Sequence, residues 1–204
     1  MIQKLGIELS ISKNTIIIRC GDIWVAEGKK VIPFNEYFDT CVDDRIITSQ
    51  SLHGQLIIKL GKRLSDLKKA IDSDISRRTL KNGRMAYPLG SILPFENYLL
   101  LAFSSFDEKN RANLSKKQYI GCLKKMWDEI DITYGNFPIF LPLLGSGVTR
   151  IDASNQDLLE WMLDSLGECK VTYNRPLTIL LTEEILTSSD INKKVDLEKI
   201  RRIY

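Results

Sequence analysis

A glycine-containing segment near residue 145 has the composition of an anion-binding loop. The apolar run Pro138–Leu144 leads directly into Gly145-Ser146-Gly147-Val148-Thr149-Arg150. Two glycines let a backbone approach a ligand closely, and successive N–H groups can form a nest for an anion. Two hydroxyl groups and the guanidinium of Arg150 would add to it. The spacing matches neither a Walker loop nor the dinucleotide-binding glycine fingerprint, so a plain tight turn stays open as the alternative.

Two polar side chains come just after other apolar runs. Asp22 follows Thr15–Cys20 and a glycine, and a carboxylate there could accept a hydrogen bond from an amino group such as N6 of adenine. Asn35 follows Val31–Phe34, and its amide is suited to a sugar hydroxyl. Asp and Asn also form turns by bonding to nearby backbone groups, so a turn-forming role stays open for each of them.

The sequence offers little for catalysis or for metal binding. His53 is the only histidine, hence the only obvious general base with an ordinary pKa near neutrality. No motif places a nucleophile beside it, which favours a structural or ligand-contact role. The four cysteines are scattered without a Cys-x-x-Cys pair, at Cys20, Cys41, Cys122 and Cys169. We therefore predict no catalytic residue, no metal site and a reducing environment.

Short apolar runs alternate with amphipathic stretches along the chain. Five runs are predicted strands: Thr15–Cys20, Val31–Phe34, Tyr98–Phe103, Pro138–Leu144 and Leu177–Thr182. Four stretches are predicted helices: Leu64–Arg78, one opened by the capping box Ser115–Gln118, one opened by Ser154–Asp157, and a short one near Leu197–Ile203. The alternation predicts an α/β sandwich with a largely parallel or mixed sheet, in which ligands bind beyond the carboxyl ends of the strands.

Length and charge limit the class of protein. The 204 residues fit one domain, and 44% hydrophobic residues supply a core. A net charge of +3 does not require nucleic acid as a partner, but it suits an anionic small molecule. No apolar run approaches the ~20 residues of a membrane span.

Taken in order, these segments resemble the macro domain family from about Thr15 to Thr182. The resemblance rests on Gly21-Asp22-Ile23, Asn35, Val42-Asp43 before Ile46-Ile47, and Pro142-Leu143-Leu144-Gly145-Ser146-Gly147. Segments 42–47, 51–55, 102–107 and 144–150 are most similar to the macro-like sensor domain of Thoeris-type bacterial anti-phage effectors. The resemblance implies a macro-type three-layer α/β/α sandwich with a mixed central sheet, formed as one domain by residues 1–204.

The same resemblance implies a site for an ADP-ribose-derived nucleotide. Asp22 and the backbone of Ile23 would hold the adenine. Asn35 would lie by the terminal ribose, and Asp43 matches the aspartate of the family's first loop. The glycine loop would cradle the diphosphate through its N–H groups. The full set of ligand contacts expected is Asp22, Ile23, Asn35, Tyr37, Asp43, Phe106, Leu144, Gly145, Ser146, Gly147, Val148, Thr149 and Arg150.

One departure from the family pattern bears on catalysis. Macro hydrolases carry a glycine-rich stretch before Val-Asp in the first loop, and here the stretch reads Tyr37-Phe38-Asp39-Thr40-Cys41. Its side chains could recognise a group on the terminal ribose, or its aromatic rings could simply pack. We therefore favour a sensor over an ADP-ribosyl hydrolase using Asn35 and Asp43. The basic face within Lys62–Arg84 supports a further alternative, a binder of nucleic acid or poly-ADP-ribose, although such faces are usually just solvated.

The resemblance also implies partners and a location. A TIR-domain enzyme would make the signal from NAD, and an amino-acid conjugate such as histidine-ADP-ribose is the type of ligand implied. We expect no cofactor besides this ligand, no nucleic acid partner and no membrane contact from this segment, while a homo-oligomer stays open. We expect a cytoplasmic location, or a membrane tether supplied by a segment outside this chain if the chain is the soluble part of a longer effector.

Overall fold

The computed structural model describes residues 6–105, 114–147 and 151–204. Its strands are β1 (Gly6–Ile11), β2 (Asn14–Cys20), β3 (Lys29–Asn35), β4 (Thr79–Lys81), β5 (Arg84–Ala86), β6 (Ile92–Phe95), β7 (Tyr98–Ser104), β8 (Ile139–Pro142) and β9 (Leu177–Leu181). Its α-helices are α1 (Leu52–Leu60), α2 (Leu64–Ser73), α3 (Lys116–Thr133), α4 (Asn155–Glu168), α5 (Glu183–Thr187) and α6 (Leu197–Ile203). Short 3₁₀ turns occupy Ile23–Val25, Gly61–Arg63 and Ile75–Arg77.

Seven strands form one mixed sheet in the order β1-β2-β9-β8-β3-β7-β6. The five inner strands, from β2 to β7 in that order, run parallel to one another. The outer strands β1 and β6 pair antiparallel with their neighbours, and β4 and β5 form a separate hairpin. The carboxyl ends of all five parallel strands therefore meet at one edge of the sheet.

Helices cover both faces of this sheet. On one face, helices α3, α4 and α6 pack against the seven-stranded sheet and form one buried cluster with it. On the opposite face, helices α1 and α2 form a second buried cluster with the sheet. Strands that are buried on both faces have nearly continuous apolar sequences. Strand β9 is such a strand, because all five of its residues are buried. The predicted three-layer α/β/α sandwich with a mixed sheet is confirmed.

Local signals in the sequence set most of the helix starts. Ser115 and Gln118 form the predicted capping box of α3, and Ser154 and Asp157 form another at α4. The helix predicted over Leu64–Arg78 is shorter in the structure, where it ends at Ser73. Asp72, Ser73 and Asp74 have low helix propensity, and the Ser73 hydroxyl bonds to the carbonyl of Lys69, so only a 3₁₀ turn follows.

Candidate functional site

Strands β3 and β8 separate toward their carboxyl ends. They pair only at Lys29 with Ile139 and at Lys30 with Phe140, whereas β3 pairs with β7 through six residue pairs up to Asn35. The carboxyl-terminal halves of two neighbouring strands thus share no ladder hydrogen bonds, which leaves a crevice between them.

Two prolines explain why the ladder stops there. The N–H of Lys29 bonds across to the β8 side, and N–H direction alternates along a strand, so the nitrogen of Pro33 also faces β8. The N–H of Ile139 bonds toward β9, so by the same alternation the nitrogen of Pro142 faces β3. Neither proline can donate a hydrogen bond. Both strands therefore lack a donor at the position where the ladder would continue.

The chain leaves this crevice on opposite faces of the sheet. After β3 it continues to α1 and α2, and after β8 it continues to α4 on the other face. In open α/β sheets, ligands bind at such a topological switch point, beyond the carboxyl ends of the strands. The crevice is therefore the candidate binding site.

The predicted phosphate loop begins with a tight turn. Ser146 donates from its N–H and its hydroxyl to the carbonyl of Leu143, at 3.5 and 2.7 Å. Gly145 has a φ of +89°, which L side chains rarely adopt. A Cβ atom at this position would also come within 2.8 Å of the Ile151 side chain. Glycine is therefore required at 145. The residues that form this tight turn also belong to the predicted anion-binding loop, so the two interpretations are compatible.

The core holds this turn from below and leaves its tip open. The side chain of Leu144 is buried, and its carbonyl accepts a hydrogen bond from the Tyr119 hydroxyl at 2.9 Å. Ser146 and Gly147 are exposed, and a Cβ on Gly147 would meet nothing within 4 Å. Among the described residues, neither Gly145 nor Gly147 donates its N–H to a protein acceptor. The remaining predicted contacts Phe106, Val148, Thr149 and Arg150 lie outside the described residues.

Asp22 and Ile23 lie at the carboxyl end of β2. Asp22 caps the following 3₁₀ turn by accepting the Trp24 N–H at 2.9 Å, while its side chain stays exposed. The side chain of Ile23 is buried with the α1 cluster, so only its backbone can reach a ligand. As the first residue of the turn, Ile23 has an N–H with no partner inside it. The turn-forming role of Asp22 and a ligand role are thus compatible.

Asn35 organises the loop that follows β3. It is 2% exposed, and its Oδ1 accepts the N–H groups of Tyr37 and Asp39 at 3.1 and 3.2 Å. Its Nδ2 donates to Oδ2 of Asp39 at 3.1 Å. No acceptor among the described residues takes the second Nδ2 hydrogen. A contact with a sugar hydroxyl would therefore use a group that the loop already orients.

Asp43 shapes the next part of the same loop. Its Oδ1 accepts three consecutive N–H groups, those of Arg45, Ile46 and Ile47, at 3.0, 2.8 and 3.2 Å. These hydrogen bonds lower the pKa of Asp43, with that from Arg45 contributing most. The carboxylate is exposed and stays ionised, and its main visible role is to hold the loop.

The two aromatic side chains of the loop have different surroundings. Phe38 is 2% exposed and packs against Phe34 and Tyr87, so for this ring the packing alternative holds. Tyr37 is partly exposed, and the Arg84 guanidinium lies 4.1 Å from its ring centre. Of the two rings, only Tyr37 remains available to a ligand.

Behind the loop lies a solvent-open cavity of about 460 Å³. It is bounded by the loop, α2 and the hairpin, and its lining residues are Tyr37, Phe38, Asp39, Thr40, Lys68, Ile71, Asp72, Arg78, Arg84 and Met85. None of the residues at the β3–β8 crevice lines it, so we place the candidate site at the crevice and treat the cavity as the rear of the loop.

His53 is a structural residue of α1. Its Nε2 lies 2.8 Å from the carbonyl oxygen of Asp39, and because a carbonyl only accepts, Nε2 carries the proton. Its ring stacks on Phe34 with centres 3.6 Å apart. Burial lowers the pKa of His53 from 6.5 to about 4. The imidazole is therefore neutral near pH 7 and ties α1 to the loop.

An ion pair between a buried carboxylate and a partly exposed lysine, near the end of β3, had no signal in the sequence. Glu36 is 3% exposed and accepts Lys81 Nζ at 2.6 and 2.9 Å and the Ser105 hydroxyl at 3.1 Å. Lys81 belongs to the β4–β5 hairpin, which the hydrophobic pattern does not predict. The pair joins the ends of β3 and β7 to this hairpin.

Residues 6–105, 114–147 and 151–204 contain no group of three or more His, Cys, Asp or Glu side chains that could hold a metal ion. No helix in these ranges is long and apolar enough to span a membrane.

Solved structures with this architecture define the class of fold. A point mutant of the Oceanobacillus iheyensis macrodomain matches with a TM-score of 0.63 at 12% identity, covering 98% of this chain and 94% of that one. The same macrodomain with ADP matches at 0.61 and 13%, covering 98% and 97%. A further mutant with ADPR matches at 0.60 and 13%, covering 97% and 98%. The chain thus has the macro domain fold.

Sequence comparison identifies the family within that fold. The family model for the macro domain of Thoeris protein ThsA matches residues 16–182. The chain is 34% identical over 211 residues to Thoeris protein ThsA of Bacillus amyloliquefaciens (strain Y2), covering 96% of this chain and 70% of that protein. The chain belongs to the ThsA macro domain family, as its resemblance to Thoeris-type effectors predicts.

Proposed function

We propose that this chain binds an ADP-ribose-derived nucleotide at the β3–β8 crevice and acts as a sensor in Thoeris anti-phage defence. The observation that carries the proposal is the crevice itself, bordered by the turn after β8, where the N–H groups of Gly145 and Gly147 have no acceptor among the described residues. Family membership supports the defence role. Solved macrodomains of the same fold with ADP and with ADPR support the ligand class.

The strand order supplies a size check on the ligand. Asp22 follows β2, the Gly145 turn follows β8 and Asn35 ends β3, with β9 between the first two strands. Three strand spacings, one of them across the open crevice, separate Asp22 from Asn35, so the distance is at least about 14 Å. That distance suits a nucleoside diphosphate sugar with adenine at Asp22, diphosphate at Gly145 and terminal ribose at Asn35. A mononucleotide would not reach from end to end.

The signal that we propose carries a group on its terminal ribose. A TIR-domain enzyme would make it from NAD, and an amino acid such as histidine is the proposed substituent. The partly exposed Tyr37 supports this, since it lies two residues from Asn35 and its N–H bonds to the Asn35 side chain. Hydrolysis is not favoured, because Oδ1 of Asn35 and Oδ1 of Asp43 already accept the loop's own N–H groups.

Isothermal titration calorimetry against ADP-ribose, NAD and histidine-ADP-ribose tests the proposal. We expect the conjugate to bind most tightly and to be recovered intact after incubation with a large excess of protein. Gly147→Val should abolish binding, since its side chain would project from the exposed tip where the diphosphate lies. Gly121→Val is the matched control, because that glycine of α3 is equally open and does not belong to the turn. Absence of binding to all three compounds would overturn the proposal.

A further inference from the structure

We propose that Asp39 is the positioning residue for the terminal-ribose end of the site, and that Arg84 of the β4–β5 hairpin holds Asp39 in place. The role rests on the proposed function: Asp39 contacts no ligand itself but orients Asn35, which does. Through Arg84, the hairpin also has a role in the affinity of the site.

Asp39 is held through its backbone and both carboxylate oxygens. Its N–H donates to Oδ1 of Asn35 at 3.2 Å, and its Oδ2 accepts from Nδ2 of Asn35 at 3.1 Å. Its carbonyl accepts from Nε2 of His53 at 2.8 Å. Its Oδ1 forms an ion pair with Arg84. Asp39 therefore joins strand β3, helix α1 and the hairpin at one point.

The bonds between Asp39 and Asn35 fix which way the Asn35 amide points. An ionised carboxylate only accepts hydrogen bonds and a backbone N–H only donates, so the amide cannot be exchanged end for end. The second Nδ2 hydrogen, for which the described residues provide no acceptor, is then held in a single direction. A donor fixed before the ligand arrives loses less freedom on binding, which raises affinity for whatever accepts from it.

Arg84 holds Asp39 and Tyr37 together. Its guanidinium pairs with Asp39 and lies 4.1 Å from the centre of the Tyr37 ring.

The β4–β5 hairpin that carries Arg84 turns at Asn82 and Gly83, whose φ angles of 48° and 75° fit a two-residue type I′ turn. The ion pair of Lys81 with Glu36 anchors the other strand of the hairpin. Arg84 is thus presented to the loop by a short, doubly anchored hairpin.

The test compares ADP-ribose with ADP, which lacks the terminal ribose. For Asp39→Asn we expect Kd for ADP-ribose to rise about tenfold or more, since hydrogen bonds to charged groups are lost, and Kd for ADP to change less than about twofold. Arg84→Gln should show the same selective loss, and Arg84→Lys should recover part of it. The double variant should be no weaker than Asp39→Asn alone. Asp72→Asn, on the same cavity but without a bond to the loop, is the control.

Each outcome decides the inference. Equal losses for ADP and ADP-ribose, or no loss for Asp39→Asn, would overturn it. A selective loss for Asp39→Asn with a silent Arg84→Gln would overturn the role of the hairpin. If the parent protein binds neither compound, the proposed function fails, and amide hydrogen exchange at Tyr37 and Asp39 decides the positioning role alone. Faster exchange in both variants supports it, and unchanged exchange refutes it.

Discussion

Pro33 and Pro142 lie on neighbouring strands of the sheet, each with its nitrogen turned toward the other strand. Neither can donate a hydrogen bond, and the β3–β8 ladder ends before it reaches them. A central pair of parallel strands is usually bonded along its length, so two prolines at this junction keep open a gap that backbone pairing would otherwise close.

Restoring both donors should narrow the crevice. In Pro33→Val/Pro142→Val the two new N–H groups can extend the ladder, and we expect the affinity for ADP-ribose to fall about tenfold. Hydrogen exchange should show both new amides as protected. Pro94→Val, in the edge strand β6 away from the site, should leave affinity unchanged. Unaltered binding by a double variant with protected amides would show that the width of the crevice does not matter.

The turn at Gly145 should be a stability determinant, whereas Gly147 should not. Gly145→Ala places a side chain at a φ of +89° and within 2.8 Å of Ile151. We expect it to lower the free energy of unfolding by about 1–3 kcal/mol. Gly147→Ala, at an open position, should change it by less than about 0.5 kcal/mol. Urea denaturation of both variants measures the difference, and equal effects would contradict the turn geometry.

His53 should make stability depend on pH in mildly acidic solution. Burial lowers its pKa from 6.5 to about 4 in the folded chain, so between these values the unfolded chain binds a proton that the folded chain does not. Stability should therefore fall as pH drops from 6.5 toward 4, by up to about 3 kcal/mol. Above pH 6.5, His53 is neutral in both the folded and the unfolded chain, so it no longer contributes to the pH dependence of the free energy of unfolding.

The control for this titration is His53→Gln, since His53 is the only histidine. Urea unfolding of both proteins at several pH values between 7 and 4.5 isolates the histidine, because the carboxylates are common to both. The parent should lose stability more steeply than the variant. Parallel curves would show that His53 titrates normally.

Asp22 should read the amino group of adenine. Its exposed carboxylate can accept the N6 hydrogen, so the parent should prefer ADP-ribose over its inosine analogue, which has no amino group there. We expect a preference of about tenfold that Asp22→Ala removes. The variant also loses the cap of the 3₁₀ turn and should unfold about 1 kcal/mol more easily. A preference that survives in Asp22→Ala would assign adenine recognition elsewhere.

The sequence predicts the parallel strands and the capped helices well because their signals are local. Runs such as Leu177–Leu181 are apolar except for Thr178, and Ser115 with Gln118 forms a capping box within one turn. Helix α1 is harder to predict, because Gly54 within it suggests a break. The structure supplies the reason for that glycine, since a Cβ there would come within 2.1 Å of the Thr48 carbonyl oxygen.

The loop after β3 shows where prediction from sequence ends. The sequence leaves open whether Phe38 packs and whether Asn35 forms a turn, and both depend on what the fold brings against them. Asp39 meets Arg84 from 45 residues further along the chain, and nothing in the spacing of either residue indicates the other. Contacts of this range follow from the hairpin's position, which tertiary packing sets.

The burial of the Ile23 side chain has a consequence for how such sites diverge. If the ligand is held by N–H groups at Ile23 and at the Gly145 turn, the atoms that recognise it are common to every amino acid except proline. Substitutions that preserve the path of the backbone then leave those contacts in place. Relatives could keep one ligand while their site side chains drift apart, so a comparison of side chains alone would underestimate how many of them share it.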